Sequence, residues 1–248
     1  MLSEEAILAE QSLLDMCSLV ASLTGGQRLQ GRLGEIFRPG FPFPSFYGRV
    51  ALRGVSDEDA SDALRLVREA ALMLVSYTQG CVPERMGDLL QEAGYAPMVT
   101  QTGMILKLKE HSFAESPQVV RIGLDRIEEW GETCCRAFDK PPEQPAFEAM
   151  VRREDCYFYG FEEDGRLIGT TLLYTEDGNA GIHEVGVLPE CRRRSVAGRL
   201  LRHALTQAKR DGAEIATLQA SALGEPLYRA LGFKAVSELD TWIMPPQA

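Results

Sequence analysis

The chain has 248 residues, of which 45% are hydrophobic and 25% charged, and this composition is ordinary for a soluble globular protein with a sizeable core. Its formal net charge of -10 at pH 7 argues against general nucleic-acid binding, because that function usually requires a basic face. The same negative charge is compatible with a cationic substrate such as an amine.

The first 23 residues, MLSEEAILAEQSLLDMCSLVASL, predict an amphipathic helix. They carry four acids and no basic region, so they do not fit a signal peptide. No run approaches the length of a membrane span, and we expect no membrane association. The six cysteines are scattered without a CxxC pair, which favours a reducing, cytoplasmic setting over a disulfide framework or a zinc site.

The first half continues with a Pro-rich loop into a strand, FPFPSFYGRVALRGV, then a helix over 57–71 and a strand over 72–78. It ends in a helix, a glycine and a strand, within LLQEAGYAPMVTQTGMILKL. The polar stretch EHSFAESPQ then interrupts two apolar runs. We therefore predict two domains, residues 1–112 and 118–248.

The two halves end alike when they are offset by 138 residues. Ala93-Gly94-Tyr95 corresponds to Leu231-Gly232-Phe233, and Met104-Ile105-Leu106 to Trp242-Ile243-Met244. Each end predicts a helix that a glycine terminates, followed by a strand that an aromatic residue opens. Internal repetition of one supersecondary unit is the favoured interpretation, and chance similarity is the alternative.

The second half predicts a mixed α/β order with an antiparallel start. Asp164-Gly165 is a strong hairpin signal between two strands. The predicted strands are 118–122, 156–162, 166–174, 180–187, 214–220 and 233–243. The predicted helices are 124–138, a short helix ending near 151, 195–210 and 224–231.

The stretch PECRRRSVAGRLLRHAL places three arginines where an amphipathic helix begins. Residues 191–210 contain seven Lys or Arg and no acid, although the whole chain is acidic. A helix start already attracts anions, and the small residues Ser195, Ala197 and Gly198 let backbone N–H groups approach a ligand closely. A di- or polyphosphate would fit, whereas a basic loop on a solvated face is the alternative.

The run VGVLPECRRRSVAGRLLRHAL resembles the acetyl-CoA site of the GNAT N-acetyltransferase superfamily. The family's loop, Arg/Gln-x-x-Gly-x-Gly/Ala, falls on residues 192–197, with Ser195 at the usual glycine. A second run, LQASALGEPLYRALGF, is similar to the family's closing motif, with Ser221 at a common asparagine. Together the two motifs extend the resemblance over about 118–244.

The resemblance implies a mixed, mostly antiparallel sheet with flanking helices. It also implies an acetyl-CoA-dependent N-acetyltransferase in which an amine attacks the thioester directly, in a ternary complex. In such enzymes the pantetheine arm lies between two splayed strands, and loop amides hold the pyrophosphate. The residues that the resemblance assigns to the coenzyme are Val185, Gly186, Val187, Arg192, Arg193, Arg194, Ser195, Val196, Ala197, Gly198, Arg199, Ser221 and Tyr228.

The resemblance also implies a catalytic acid, Tyr228, whose phenol is protonated at neutral pH and could donate to the departing thiolate. Its alternative role is an aromatic packed in a helix face. Family bases often lie on the strand before the loop, where the usual carboxylate position is Gly181. Counting by two, His183 shares that face and becomes the candidate base, whereas Glu184 points the other way. A solvated strand-edge histidine and a water chain remain alternatives.

The first half lacks the arginine-rich loop and has Leu90 where the second half has Tyr228. We therefore expect it to be a degenerate GNAT-like α/β half that binds no coenzyme and shapes the acceptor pocket. The acceptor is a small-molecule or peptide amine, and nucleic acid is not an expected partner. A non-catalytic acyl-CoA sensor is the alternative function, and the oligomeric state stays open, with a homodimer as one option.

Overall fold

The computed structural model describes residues 2–41, 45–141 and 143–245. Within these residues the chain forms seven α-helices and eleven β-strands. The helices are α1 (Glu4–Leu23), α2 (Ala60–Ala70), α3 (Met86–Glu92), α4 (Ile127–Phe138), α5 (Gln144–Met150), α6 (Val196–Arg210) and α7 (Glu225–Ala230). The strands are β1 (Gln27–Gly31), β2 (Gly34–Arg38), β3 (Arg49–Leu52), β4 (Leu74–Thr78), β5 (Ala96–Lys107), β6 (Val119–Arg121), β7 (Cys156–Glu163), β8 (Arg166–Glu176), β9 (Asn179–Val187), β10 (Ile215–Ala220) and β11 (Lys234–Ile243).

The chain divides into two compact units that do not follow a single cut. Unit 1 comprises Met1–Met104 and Gln219–Ala248, and unit 2 comprises Ile105–Leu218. The last strand, β11, pairs antiparallel with β4, with Ile243 opposite Leu74 and Leu239 opposite Thr78. This pairing places the C-terminal 30 residues in unit 1, so the compact units differ from the predicted division near residues 112–118.

Unit 1 is a sheet covered by helices. Its strands follow the order β1-β2-β3-β4-β11-β5. In α2, Ala60, Ala63 and Val67 recur at intervals of three and four and are fully buried, which fixes the face that the helix turns to the core. The predicted Pro-rich loop falls partly on residues 42–44, which lie outside the described residues, and it leads into β3.

The predicted helix–glycine–strand units are present at both chain positions. Gly94 follows α3 with a φ of 93°, and Gly232 follows α7 with a φ of 99°. These left-handed conformations suit glycine, which lets the chain leave the helix without steric cost. The form of both units is confirmed, while their origin as an internal repeat stays a prediction.

α1 is apolar enough and long enough to resemble a membrane span by composition, contrary to the expectation that no run would reach that length. Half of its most apolar window is buried, and α1 packs against β1, β2 and β11 in unit 1. A partly buried core helix can have the same length and composition as a membrane span.

Unit 2 is the mixed, mostly antiparallel sheet with flanking helices that was predicted. Its strands follow the order β10-β9-β8-β7-β6, and the pairs from β6 to β9 are antiparallel. Asp164 and Gly165 both have positive φ, which confirms the predicted hairpin turn between β7 and β8. Trp130 packs edge-on against Phe147 and Phe158 in the core, at centroid distances of 5.1 and 4.7 Å.

α6 lies close against the sheet of unit 2. The leucines and alanines at its three- and four-residue spacings are buried, as the sequence predicted. Gly169 on β8 permits the approach, because a Cβ there would lie 2.8 Å from Cγ1 of Val196. The start of α6 is thereby fixed relative to β8.

Candidate functional site

β9 and β10 run parallel but separate along their length. Their register joins Asn179 to Ile215 and ends at Gly181 opposite Thr217. β9 continues for six more residues to Val187, and within the described chain no strand pairs with that edge of 182–187. The unpaired N–H and C=O groups along this edge can bind an extended, amide-containing ligand.

A β-bulge interrupts β9 on its other edge, toward β8. Leu172 pairs with His183, but Thr170 pairs with Gly186, so β9 has one extra residue between the two pairs. Glu184 takes the extra position in a left-handed conformation with a φ of 51°. The regular alternation of side chains between the two faces of β9 is therefore interrupted after His183, because the bulge inserts one extra residue.

The loop between β9 and α6 has an unusual backbone. Arg193 and Ser195 have φ values of 59° and 60°, although neither is glycine. Such residues expose successive N–H groups in a concave arrangement that favours anions. α6 begins at Val196, and no side chain caps it. The free N–H groups of its first turn, at Val196, Ala197 and Gly198, remain available to a ligand.

The three consecutive arginines have different surroundings. Arg192 donates to backbone carbonyls, from Nε to Val187 at 3.3 Å and from Nη2 to Ala137 at 3.0 Å. Arg194 pairs with Glu163 at 2.6 Å. Arg193 is exposed and has no hydrogen bond or ion pair with the described residues. Of the three consecutive arginines, Arg193 is therefore the one without a partner among the described residues.

Arg199, one turn into α6, lies against β7. Its guanidinium carbon is 4.3 Å from the centre of the Phe161 ring, and Nη1 donates to Gln118 at 3.3 Å. Its Nε is buried without a partner among the described residues. These contacts make Arg199 part of the packing beside the loop, with one donor unsatisfied.

Val185, Gly186 and Val187, the predicted coenzyme-binding residues of β9, lie where the strand pairs with β8 but no longer with β10. Gly186 is buried, and a Cβ there would lie 2.8 Å from Cβ of Ala137 and 2.9 Å from Cε2 of Phe138. The end of α4 therefore packs directly on the strand at that point. Val185 and Val187 are half-buried on either side.

His183, the candidate base, lies just before the bulge. Its Nε2 is buried and has no hydrogen-bond partner among the described residues. Burial lowers the pKa of His183 to about 4, although the charge of Glu184 opposes this. The imidazole is therefore neutral at pH 7.

A buried ionic cluster beside His183 was not predicted from the sequence. Lys140 Nζ lies 2.7 Å from Glu184 Oε1 and 3.3 Å from Glu143 Oε2. Cys134 Sγ donates to Glu184 Oε2 at 3.3 Å. Burial alone would lower the pKa of Lys140, but the neighbouring acidic groups, chiefly Glu184, outweigh burial and raise it. A lysine within DKPPEQP has no motif that could have indicated this role.

Tyr228 and Ser221 belong to unit 1, whereas the loop and β9 belong to unit 2. Tyr228 on α7 is 8% exposed, and its ring meets Phe233 edge-on at 6.0 Å. Burial raises the pKa of Tyr228 to about 12, so the phenol is protonated at neutral pH. Ser221 closes the turn before α7, because its Oγ accepts from the Gly224 N–H at 3.2 Å.

The His, Cys, Asp and Glu side chains bear on two other classes of site, a metal centre and a reactive thiol. Within the described ranges, no three His, Cys, Asp or Glu side chains form a group that could hold a metal ion. The six cysteines are free, and Cys191, next to the arginines, is buried. Burial raises the pKa of Cys134 well above its ordinary value, which disfavours the reactive thiolate there.

Comparison with known proteins finds a family model that matches the second half. The model of the acetyltransferase (GNAT) family matches residues 124–233. No curated protein matches the chain. A solved GCN5-related N-acetyltransferase from Kribbella flavida is similar, with 19% identity, a TM-score of 0.69, and coverage of 98% of this chain and 96% of that one.

Two further solved structures share the fold. A GCN5-related N-acetyltransferase from Sphaerobacter thermophilus has 15% identity, a TM-score of 0.62, and coverage of 100% of this chain and 98% of that one. A conserved protein of unknown function from Staphylococcus epidermidis has 11% identity, a TM-score of 0.64, and coverage of 88% and 94%. The likeness of fold thus extends beyond the segment that matches the family model.

Proposed function

Because residues 124–233 belong to the GNAT acetyltransferase family, we propose that the protein is an acetyl-CoA-dependent N-acetyltransferase that acetylates a primary amine. The observation that carries this proposal is the uncapped start of α6, which lies behind a loop with two left-handed residues and with Arg193, an arginine without a partner among the described residues. Such a site favours an anion, and the diphosphate of the coenzyme has the matching charge.

The residues around the loop fit the coenzyme in two places. The N–H groups at 196–198 would hold the diphosphate, with Arg193 supplying a charge-assisted contact. The free edge of β9 would hold the amide-containing arm through backbone hydrogen bonds. Bound acetyl-CoA supplies an acetyl group activated as a thioester.

Direct attack by an amine requires two proton movements from the protein. We assign the donor role to Tyr228, which stays protonated at pH 7 and could transfer its phenolic proton to the departing thiolate. The assignment rests on the LYRALGF motif and on the environment of Tyr228 on α7. A buried, raised-pKa phenol is a weaker acid than an exposed one, so its contribution falls at the lower end of acid catalysis.

The acceptor role falls to His183 in this proposal. Its neutral imidazole has a free lone pair at pH 7, and its Nε2 has no partner among the described residues. Glu184 is a poorer base, because the Lys140 ammonium at 2.7 Å stabilises its charged form. No thiol nucleophile is needed, so the cysteines stay outside the reaction.

A non-catalytic acyl-CoA-binding role is the second candidate. The observation that favours it is that burial moves the pKa values of both proposed proton carriers away from neutral pH. The pKa of Tyr228 is raised to about 12, and that of His183 is lowered to about 4. Efficient acid–base catalysts usually titrate near the operating pH. In this role the site would bind the coenzyme and transfer nothing.

Two measurements on the full chain decide between these roles. Isothermal titration with CoA tests the binding site, and release of free thiol from acetyl-CoA tests transfer against a panel of small-molecule and peptide amines. CoA binding with amine-dependent thiol release supports the enzyme. Binding with no turnover on any amine supports the sensor, and absence of CoA binding contradicts both.

The proposal also covers the first half, which we infer to be a GNAT-like half that binds no coenzyme. Its β3, α2, β4, α3 and β5 follow the same order as β9, α6, β10, α7 and β11. Both β3–β4 and β9–β10 are parallel pairs. We propose that this half contributes to acceptor selection, which chimeras of its loops would alter without changing the affinity for CoA.

A further inference from the structure

The turn between α4 and α5 contains a buried ionic cluster that the proposed reaction does not use. The side chains of Lys140, Glu143 and Glu184 are 7%, 0% and 13% exposed. Lys140 is within 3.3 Å of Glu143 and 2.7 Å of Glu184. Charges so far from solvent are costly unless they are paired, so each member depends on the others.

The cluster is attached to the bulge of β9. Glu184 is the bulged residue, and its left-handed backbone is unfavourable for a side chain with a Cβ. Such a conformation persists only where surrounding contacts over-determine it. The contacts that Lys140 and Cys134 make with the Glu184 carboxylate are of this kind.

Strand β8 holds the backbone of the bulge through separate hydrogen bonds. The hydroxyl of Thr170 donates to the carbonyl of Glu184 at 3.0 Å, and that of Thr171 to the carbonyl of His183 at 3.4 Å. Both threonines are fully buried. The threonines thus hold the carbonyls, while Lys140 holds the Glu184 side chain.

The position of Lys140 is itself set by the end of α4. Asp139 ends the helix with a φ of 51°, and the Lys140 N–H donates to the Cys135 carbonyl at 3.1 Å. The same helix end packs on Gly186, two residues beyond Glu184. Helix end, lysine and bulge therefore form one packed element within unit 2.

We propose that Lys140 is a positioning residue: through its ion pair with Glu184 it holds the bulge of β9, and so sets the backbone groups of residues 182–187. Where these groups bind the coenzyme arm, Lys140 sets their geometry too, and that second statement rests on the proposed function. Lys140 itself touches no reacting atom.

The first arm of the test needs no coenzyme. The variants are Lys140→Met, which removes the charge, Lys140→Arg, which restores it, and Glu184→Gln, a near-isosteric neutral change. The coupling between the amide and α protons of residue 184, measured by NMR, reports its φ. We expect the positive φ to be lost in Lys140→Met and kept in Lys140→Arg.

The second arm measures CoA affinity and, for an active protein, kcat and KM. Lys140→Met and Glu184→Gln should each weaken CoA binding by about 10- to 100-fold, because a displaced strand backbone mispositions its ligand. The double variant should lose no more than either single variant. The matched control is Arg126→Met, just before α4, which breaks the ion pairs to Glu129 on α4 and Glu162 on β7 but does not touch the bulge.

The outcomes separate the two proposals. A retained positive φ with CoA affinity within twofold of wild type overturns the role of Lys140, as does an equal loss of affinity in Arg126→Met. If wild type binds no CoA, the proposed function fails, and the φ of residue 184 alone decides the role of Lys140. If Lys140→Met does not fold, Lys140→Arg and Glu184→Gln supply the same readouts.

Discussion

α2 and α6 occupy equivalent places in the two units, yet their N-terminal ends carry opposite charge. Each helix follows one strand and precedes another that is parallel to it. Residues 56–62, SDEDASD, place four acids at the start of α2, whereas residues 192–198, RRRSVAG, place three arginines at the start of α6. The same backbone arrangement thus presents two different electrostatic environments.

The acids at α2 are engaged by the protein itself. Arg32 binds Asp59 through two nitrogens at 2.7 and 2.8 Å, and Ser56 donates to Asp59 at 2.8 Å. The hydrogen bond from Arg32 is the main reason that the pKa of Asp59 lies well below its usual range. The positive end of α2 is therefore compensated from within the chain, whereas the start of α6 carries arginines and no capping side chain.

The strands before the helices differ in the same direction. All four residues of β3 pair with β4, from Arg49 opposite Leu74 to Leu52 opposite Tyr77. β9 pairs with β10 over three residues and then leaves six with a free edge. A cationic helix start and an open strand edge therefore occur together in unit 2, and under the proposed function this combination distinguishes the coenzyme-binding half from the other.

The largest expected effect comes from giving α6 the charge of α2. Arg193→Glu should weaken CoA binding by about 100-fold, because it replaces a charge-assisted contact with repulsion at the diphosphate. Isothermal titration measures this. Arg152→Glu makes the same charge change at an exposed position in unit 2 and is the control. Equal losses of CoA affinity in both variants would show that the effect comes from the net charge and not from the position of Arg193.

His183, whose Nε2 is buried, should make stability depend on pH. The pKa of His183 is about 4 against an ordinary 6.5, so the unfolded chain binds a proton between these values and the folded chain does not. We expect about 3 kcal/mol of stability, fully present above pH 6.5, to be lost as the pH falls to 4.

Urea unfolding of wild type and His183→Gln across pH 4 to 7 checks this expectation. The variant should lose less stability on acidification, by about the same 3 kcal/mol. His111→Gln, at a partly exposed histidine, is the control. Parallel curves for wild type and His183→Gln would show that His183 is not buried as described.

Tyr228 and Tyr95 test whether the two helix–glycine–strand units differ in function. Tyr228→Phe should lower kcat by about 100-fold and leave CoA affinity nearly unchanged, because it removes only a proton donor. Tyr95→Phe removes a hydrogen bond of 2.8 Å to the Leu72 carbonyl and should lower stability by about 1 kcal/mol without affecting turnover. An unchanged kcat in Tyr228→Phe would favour the sensor.

The smallest expected effect is at Ser195. A serine at a φ of 60° is strained, and glycine adopts this conformation freely. Ser195→Gly should raise the free energy of unfolding by about 0.5 kcal/mol, with CoA affinity kept within threefold. Ser195→Val should lower both the free energy of unfolding and the CoA affinity, since a β-branched residue disfavours a positive φ. A loss of affinity in the glycine variant would give the hydroxyl a direct role.

Most elements around the site follow local rules and were predictable. The face of α6, the turn at Asp164-Gly165 and the glycines after α3 and α7 each depend on neighbouring residues alone. The β1–β2 hairpin was missed, because all five residues of β1 are exposed and show no alternation of apolar and polar residues.

The remaining features depend on contacts distant in sequence. Pairing of β11 with β4 joins residues more than 150 positions apart, and local sequence carries no signal for it. The bulge at Glu184 is contacted by Lys140, 44 residues earlier, and by the threonines of β8. The sequence prediction assumed a regular strand, in which Glu184 lies on the opposite face from His183, and so it did not include the bulge.

The central claim is that the start of α6 binds a diphosphate and the start of α2 does not. The most direct measurement is an NMR titration of the labelled full chain with CoA, following the amide signals of residues 193–198 and 57–63. The account predicts large, saturable shifts at 193–198 and none at 57–63. Unchanged signals at 193–198, or equal shifts at both helix starts, would contradict it.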